Sequence, residues 1–199
     1  LPVSTSDIRR REVLAMALGS AGFLAGLHLA TDSPGGEKLI RQGQTAFNHG
    51  HYDRAEILFT HAMQFPESSW EAQYRRGLAR ALNGDRCWAI DDFLAVREQM
   101  PDPRLDALVG YSYQLLHRYA EALDWYRYAI GSGFSNWQLW VNMGHVAMNQ
   151  NLPGDARRYL DRAEKAGADG PEYFYARLLS ESWKHDLSER SARQLAYWA

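Results

Sequence analysis

Two stretches of the chain decide its fold: GQTAFNHGHYDRAEILFTHA, at Gly43–Ala62, and GLARALNGDRCWAIDDFLAV, at Gly77–Val96. Few of their letters are identical. A glycine, a second glycine in the middle, an alanine, an aromatic residue and a small final residue nevertheless keep the same spacing in both. The chain therefore contains an internal repeat whose small residues persist while the other residues change.

The repeat extends over four units, and four columns of residues follow it. Successive members of each column are separated by 34, 33 and 34 residues. The columns are Gly43, Gly77, Gly110 and Gly144; Ala55, Ala89, Ala122 and Ala156; Phe59, Phe93, Tyr126 and Leu160; and Ala62, Val96, Ala129 and Ala163. Self-similarity at this period predicts an array of helix pairs.

Each unit holds two stretches of helical periodicity, about 12 residues each, joined by a turn. The glycine column lies on the first stretch and the first alanine column on the second. Two helices pack closely only where small residues let their backbones approach, and the aromatic or leucine column fills the space that remains. The sequence therefore predicts an all-α fold, a superhelix of helix pairs.

These columns resemble the tetratricopeptide repeat (TPR) family, over about residues 36–169. Pro101 stands where the family has a proline at the end of a repeat, Pro66 stands one place early, and Trp140 matches an early tryptophan. The resemblance implies an α-α superhelix whose concave face, lined by the first helix of each unit, binds a segment of a partner protein.

The sequence predicts that the chain divides into five segments. We expect a basic tail at 1–12, an apolar transmembrane or signal segment at 13–30, a linker at 31–36, four repeats within 37–169, and a degenerate fifth repeat or capping helices at 171–199. The four repeats are predicted at about 36–69, 70–102, 103–136 and 137–170.

Residues 13–30 carry no charge and follow the basic cluster Arg9–Arg11. Eighteen helical residues span about 27 Å, close to the hydrocarbon thickness of a bilayer. Two interpretations of this segment remain, a membrane anchor and a secretory signal. The second rests on RRREVL, which resembles a twin-arginine signal. A buried core helix is disfavoured, because the run lacks regularly spaced polar residues. The arginines predict that the repeats lie on the extracytoplasmic side of a membrane.

The resemblance places a candidate partner-binding site on the concave face. Its residues are Arg41, Gln44, Phe47, Tyr74, Arg75, Leu78, Arg104, Tyr111, Leu115, Asn142 and His145. This mixture suits a segment that offers apolar anchors and a carboxylate. The alternative is that Tyr74, Leu78, Tyr111 and Leu115 only pack against neighbouring helices. The chaperone-binding version of the site is excluded, since Ile40 and Leu108 occupy two of its positions and cannot donate to a carboxylate.

The sequence gives little support for nucleic-acid binding, catalysis or metal binding. The net charge of −2 does not favour nucleic acid, and the single cysteine, Cys87, permits no internal disulfide. Catalytic motifs are absent, so we expect no enzyme activity and no cofactor. His49 and His51 specify no third metal ligand.

Several residues are expected to have ordinary structural roles. Cys87 is predicted to be a half-buried packing residue, and the tryptophans are predicted to fill seams between helices. The pairs Asp91–Asp92 and Arg75–Arg76 are predicted to lie on solvated helix faces.

The sequence thus predicts a protein-interaction scaffold, tethered to a membrane or exported across it. One alternative remains open. A basic stretch, an apolar run and then repeats also resemble the C-terminal part of a membrane-anchored bacterial serine/threonine kinase. In that case, the repeats would sense or recruit something for a catalytic domain upstream.

Overall fold

A computed structural model describes residues 34–182 of the chain, and this part contains nine α-helices. They are α1 Pro34–Asn48, α2 Tyr52–Ala62, α3 Ser69–Asn83, α4 Arg86–Gln99, α5 Pro103–Leu115, α6 Tyr119–Gly131, α7 Trp137–Asn149, α8 Pro153–Lys165 and α9 Pro171–Ser182. A short 3-10 helix, Pro66–Ser68, precedes α3. The all-α prediction is confirmed.

The helices pack in pairs, α1 with α2, α3 with α4, α5 with α6, and α7 with α8. Each pair packs on the next, and α9 packs on both α7 and α8. The described part is therefore a superhelix of helix pairs. The predicted second helix of the terminal pair lies outside the described residues.

The repeated glycines lie where the two helices of a pair touch, because a Cβ atom there would collide with the aromatic column. The distances from such a Cβ to the facing side chain are 2.6 Å for Gly43 to Phe59, 2.7 Å for Gly77 to Phe93, 2.7 Å for Gly110 to Tyr126 and 3.0 Å for Gly144 to Leu160. All four facing side chains are fully buried. The repeat columns thus mark the close contact within each pair.

A further column is complete only in the backbone conformation. The turn inside each pair contains one residue with positive φ: Gly50 at 80°, Gly84 at 111°, His117 at 59° and Asn151 at 60°. Glycine adopts this conformation freely, and asparagine and histidine are the side chains that tolerate it better than most. The repeated second glycine of the sequence, Gly50 and Gly84, gives this column in the first two units, and the change of residue type to His117 and Asn151 concealed it in the later two.

Capping residues explain where the later helices begin. The carboxylate of Asp102 accepts a hydrogen bond from the Arg104 backbone N–H at the start of α5, and Asn136 accepts one from Leu139 N–H at the start of α7. Pro153 is the first residue of α8, where its missing N–H costs nothing. The proline of the fourth unit therefore starts a helix.

The two charged pairs that were predicted to lie on solvated faces are corrected: the Arg75 and Arg76 side chains are only 16% and 14% exposed, and one of the two aspartates, Asp92, is buried. Its neighbour Asp91 is exposed as expected, but Asp92 is only 2% exposed. Its carboxylate accepts hydrogen bonds from Arg76, at 3.0 and 2.6 Å, and from Arg80, at 2.9 Å. Asp92 is buried because α3 and α4 pack along this edge, which the one-dimensional charge pattern does not show.

The predicted roles of Trp88 and Cys87 are also wrong. Cys87 is exposed, and Trp88 is 62% exposed on α4, where the Arg80 guanidinium lies 5.8 Å from its ring centroid. Trp140 does fill a seam. It is buried and stacks on Tyr159 with 6.3 Å between ring centroids. The helix surface on which a tryptophan lies, and not its residue type, decides its burial.

Within residues 34–182, no helix combines the length and apolar character needed to cross a membrane. The predicted anchor or signal at 13–30 lies outside the described residues.

Candidate functional site

All eleven predicted site residues lie on the first helix of a pair. Arg41, Gln44 and Phe47 are on α1; Tyr74, Arg75 and Leu78 are on α3; Arg104, Tyr111 and Leu115 are on α5; and Asn142 and His145 are on α7. The superhelix therefore distributes them over four successive first helices.

The apolar members of this set are mostly buried. Phe47 is 2% exposed, Tyr74 5%, Leu78 7% and Tyr111 1%. Burial raises the pKa of the Tyr74 phenol, since the charged form loses hydration there. Leu115 is half-buried. Among these five, Leu115 is thus the residue that a partner can reach without displacing other groups.

The three predicted arginines are each paired with a nearby carboxylate. Arg41 lies 3.2 Å from Glu37, Arg75 lies 2.7 Å from Glu71, and Arg104 Nε lies 2.8 and 2.9 Å from the two oxygens of Asp102. A carboxylate from a partner would have to compete with these acids, which lowers the gain from binding there.

Gln44 and Arg75 meet across two repeats. The Arg75 guanidinium donates to the Gln44 side-chain oxygen, and the Gln44 amide donates to Asn48 at 2.9 Å. Sequence reasoning placed both on one face but did not predict this contact. The contact fixes the orientation of α1 relative to α3.

The structure also forms a cavity of about 650 Å³ across the later first helices. The described residues that line it are Arg86, Gln114, Leu115, His117, Tyr119, His145, Met148, Asn149, Tyr175 and Leu179. They come from α5, α7 and α9, from the turn after α5, and from the first turns of α4 and α6. The cavity is thus lined by residues of four successive units.

Two of the predicted site residues, Leu115 and His145, line this cavity, and the other nine do not. Gln114, Asn149 and Tyr175 were missed, although their places on the first helices could have indicated them. Arg86 had no such signal, because it reaches the cavity from the start of a second helix. Its position depends on how neighbouring turns stack.

Two polar atoms in the cavity wall are buried without a hydrogen-bond partner: His145 Nε2 and Arg86 Nε. His145 is half-buried as a residue, but its Nε2 atom is enclosed. Burial lowers the pKa of His145 to about 4, so its imidazole is neutral at pH 7. A buried polar atom without a partner costs free energy, so a ligand that pairs with it gains affinity.

The histidines considered as metal ligands do not form a site. His49 is exposed, and its Nδ1 lies 2.7 Å from the Thr45 carbonyl oxygen. Among residues 34–182, no group of three His, Cys, Asp or Glu side chains is placed to hold a metal ion.

The comparisons with known proteins concern the fold. No family model matches the sequence, and a search of curated proteins finds no match either. Solved structures do match. One is pilF of Pseudomonas aeruginosa, at 14% identity and TM-score 0.72, with 83% of this chain and 77% of that chain covered.

Two further matching structures are described as TPR proteins. A thermophilic TPR protein of Thermus thermophilus matches at 20% identity and TM-score 0.67, over 81% of this chain and 89% of that chain. YrrB, described as a TPR protein with an unusual peptide-binding site, matches at 17% identity and TM-score 0.57, over 79% and 81%. These similarities show that the chain has the TPR fold.

Proposed function

We propose that this protein is an interaction scaffold that binds a segment of a partner protein along the face formed by α1, α3, α5, α7 and α9. The observation that carries this proposal is the cavity, which lies across three of these helices. A site spread over several repeats suits an extended or helical segment better than a small metabolite. The peptide-binding site named for YrrB supports the proposal that the ligand is a peptide segment.

The site offers two kinds of contact to such a segment. Leu115, Met148, Tyr175 and Leu179 provide apolar surface, and Tyr175 is 54% exposed. Gln114 and Asn149 provide amide groups that can bond to a partner backbone. Apolar anchors supply affinity and the polar groups supply orientation.

Site-specific photo-crosslinking tests this proposal in cells. A photoreactive amino acid at Leu115 or Tyr175 should give the same covalent adduct with one partner, identified by mass spectrometry. Ile57 and Asp91, exposed on second helices, are the matched controls and should give no such adduct. Adducts from the controls alone would contradict the proposed binding face.

Leu115 is preferred to Tyr111 for any substitution test of binding. Tyr111 is 1% exposed, so Tyr111→Ala removes a buried ring and costs about 3–5 kcal/mol of stability. Loss of binding in that variant would not distinguish a lost contact from an unfolded site. Leu115→Ala removes a half-buried side chain and perturbs the fold less.

The second part of the proposal is that residues 13–30 tether the scaffold to a membrane or export it across one, with the repeats on the extracytoplasmic side. The support is the uncharged run after Arg9–Arg11. Leu24→Arg puts a charge inside the run and should move the protein into the cytoplasmic fraction, whereas Thr31→Arg, just beyond the run, should not. Wild-type protein in the cytoplasmic fraction would contradict this part.

The kinase alternative predicts a catalytic domain encoded upstream of Leu1. Sequencing the gene upstream of the Leu1 codon decides between a stand-alone scaffold and the sensor region of a kinase. A start codon within a few residues favours a stand-alone scaffold, and a long open frame with a kinase domain favours a sensor region.

A further inference from the structure

We infer that the cavity holds an acidic side chain, Asp or Glu, of the partner segment at a subsite formed by Arg86 and His145. This inference rests on the proposed function and adds the chemistry of the group that is bound. Arg86 and His145 are not related by any pattern in the sequence.

Arg86 carries the charge for this subsite. Its guanidinium has no carboxylate or other hydrogen-bond partner among the described residues, and its Nε is buried in the cavity wall. Arginine stays protonated in proteins, and it presents several N–H groups in a planar fork that fits a carboxylate. A buried N–H of a cation without an acceptor is costly, and an incoming carboxylate removes this cost.

His145 supplies the second contact. His145 lines the same cavity, its Nε2 is buried without a hydrogen-bond partner, and the ring is neutral at pH 7. A neutral imidazole can carry its proton on Nε2 and donate it to an acceptor oxygen. The ring adds a hydrogen bond and no second positive charge.

The other residues that line the cavity are also compatible with a bound carboxylate. None of the described residues that line the cavity is acidic, so no carboxylate from the wall competes for Arg86. Arg41, Arg75 and Arg104, by contrast, already have carboxylate partners. The apolar residues Leu115, Met148 and Leu179 line the same space, so a bound segment should place an apolar side chain near its acidic one.

The test is a selection from a displayed library of random dodecapeptides on the purified full chain. Asp or Glu next to an apolar residue should be enriched in the recovered peptides. For a recovered peptide, the Glu→Gln or Asp→Asn counterpart should bind roughly ten- to a hundredfold more weakly, as expected for a charge-assisted hydrogen bond.

Variants of the protein locate the effect. Arg86→Gln should weaken binding of the acidic peptide by a similar factor while leaving its Gln or Asn counterpart nearly unaffected. Arg157→Gln is the matched control, because Arg157 is half-buried on α8 and does not line the cavity, and it should bind like the wild type. A thermal melt of each variant checks that the fold is retained.

The possible failures are distinguishable. Recovered peptides without acidic enrichment, or acidic peptides that bind Arg86→Gln equally well, overturn this inference and leave the scaffold proposal standing. Recovery of peptides that match residues 183–199 of this chain also overturns it, because the occupant would then be a segment of the same protein and not a partner. Recovery of no peptide, with no crosslinked partner from Leu115, overturns the proposed function itself.

Discussion

Gly110 and Tyr126 show how one residue sets the distance between two helices. A Cβ atom at Gly110 would lie 2.7 Å from Tyr126 Cδ1 and 3.2 Å from the Ala122 carbonyl oxygen. The Tyr126 ring is fully buried, and its hydroxyl donates to Gln114 at 2.7 Å, so it cannot move aside without loss. The glycine is required by contact, not by backbone conformation.

We therefore expect Gly110→Ala to lower the free energy of unfolding by about 1–3 kcal/mol, and Gly110→Leu to lower it further and unfold the α5–α6 pair, because both overfill this contact. Urea denaturation followed by circular dichroism measures the change. Gly131→Ala is the control, since nothing lies within 4 Å of its Cβ position. A Gly110→Leu variant that melts like the wild type would mean that the α5–α6 contact is wrongly placed.

His145 gives a prediction about pH. Its pKa is about 4 in the folded protein and about 6.5 in an unfolded chain, so between these values the unfolded chain binds more protons. Stability should therefore fall as the pH is lowered through this window, by about 2 kcal/mol at pH 5 from this residue.

Chemical denaturation at pH 7 and pH 5, for the wild type and for His145→Gln, isolates the effect from other titrating groups. The wild type should lose more stability than the variant between the two pH values. An equal loss in both proteins would show that the imidazole is not held neutral.

Each helix pair packs on the next, and at several of these seams an arginine also forms an ion pair across the contact. Arg80 of α3 lies 2.7 Å from Glu56 of α2, and Arg177 of α9 lies 2.5 Å from Asp161 of α8. Such pairs cross the seam between successive units. Together with the apolar columns, they fix the angle between units.

Asp92 is a buried acid of the second unit that pairs with two arginines, Arg76 and Arg80. We expect Asp92→Asn to destabilise the protein by about 3–5 kcal/mol, because it leaves Arg76 and Arg80 partly buried with less compensating charge. Asp91→Asn, one residue away and exposed, should change stability by no more than about 0.5 kcal/mol. Equal effects of the two substitutions, measured by thermal melting, would contradict the buried network.

The described part of the molecule is close to one-dimensional, because each of its helices packs mainly on its neighbours along the chain. In such arrays, stability is the sum of the stabilities of the units and of their interfaces. Damage to one unit should therefore stay local. This distinguishes a superhelix from a domain with a single central core.

Hydrogen exchange can test this property. In Asp92→Asn, amides of α3 and α4 and their immediate neighbours should exchange faster, while amides of α8 keep most of their protection. Mass spectrometry of peptic fragments resolves the helices separately. A uniform increase over all helices would show that the array unfolds as one cooperative unit.

The sequence by itself determined the repeat, the all-α class and the small residues at the contacts, because close approach of two helices requires small residues at fixed spacing. Through the family resemblance it also predicted the first helices as the binding face, and this stays a prediction. It did not determine the burial of Asp92, the exposure of Trp88 or the pairing of the candidate arginines, since these depend on which surfaces face each other.

The cavity belongs to the tertiary structure alone. Arg86 and His145 are far apart in the sequence and lie on helices of different units, and no periodic column contains both. They line one space because the superhelix stacks the turns and first helices of successive units side by side. A local pattern specifies each helix, but only the packing of units decides which polar atoms are buried together without a partner.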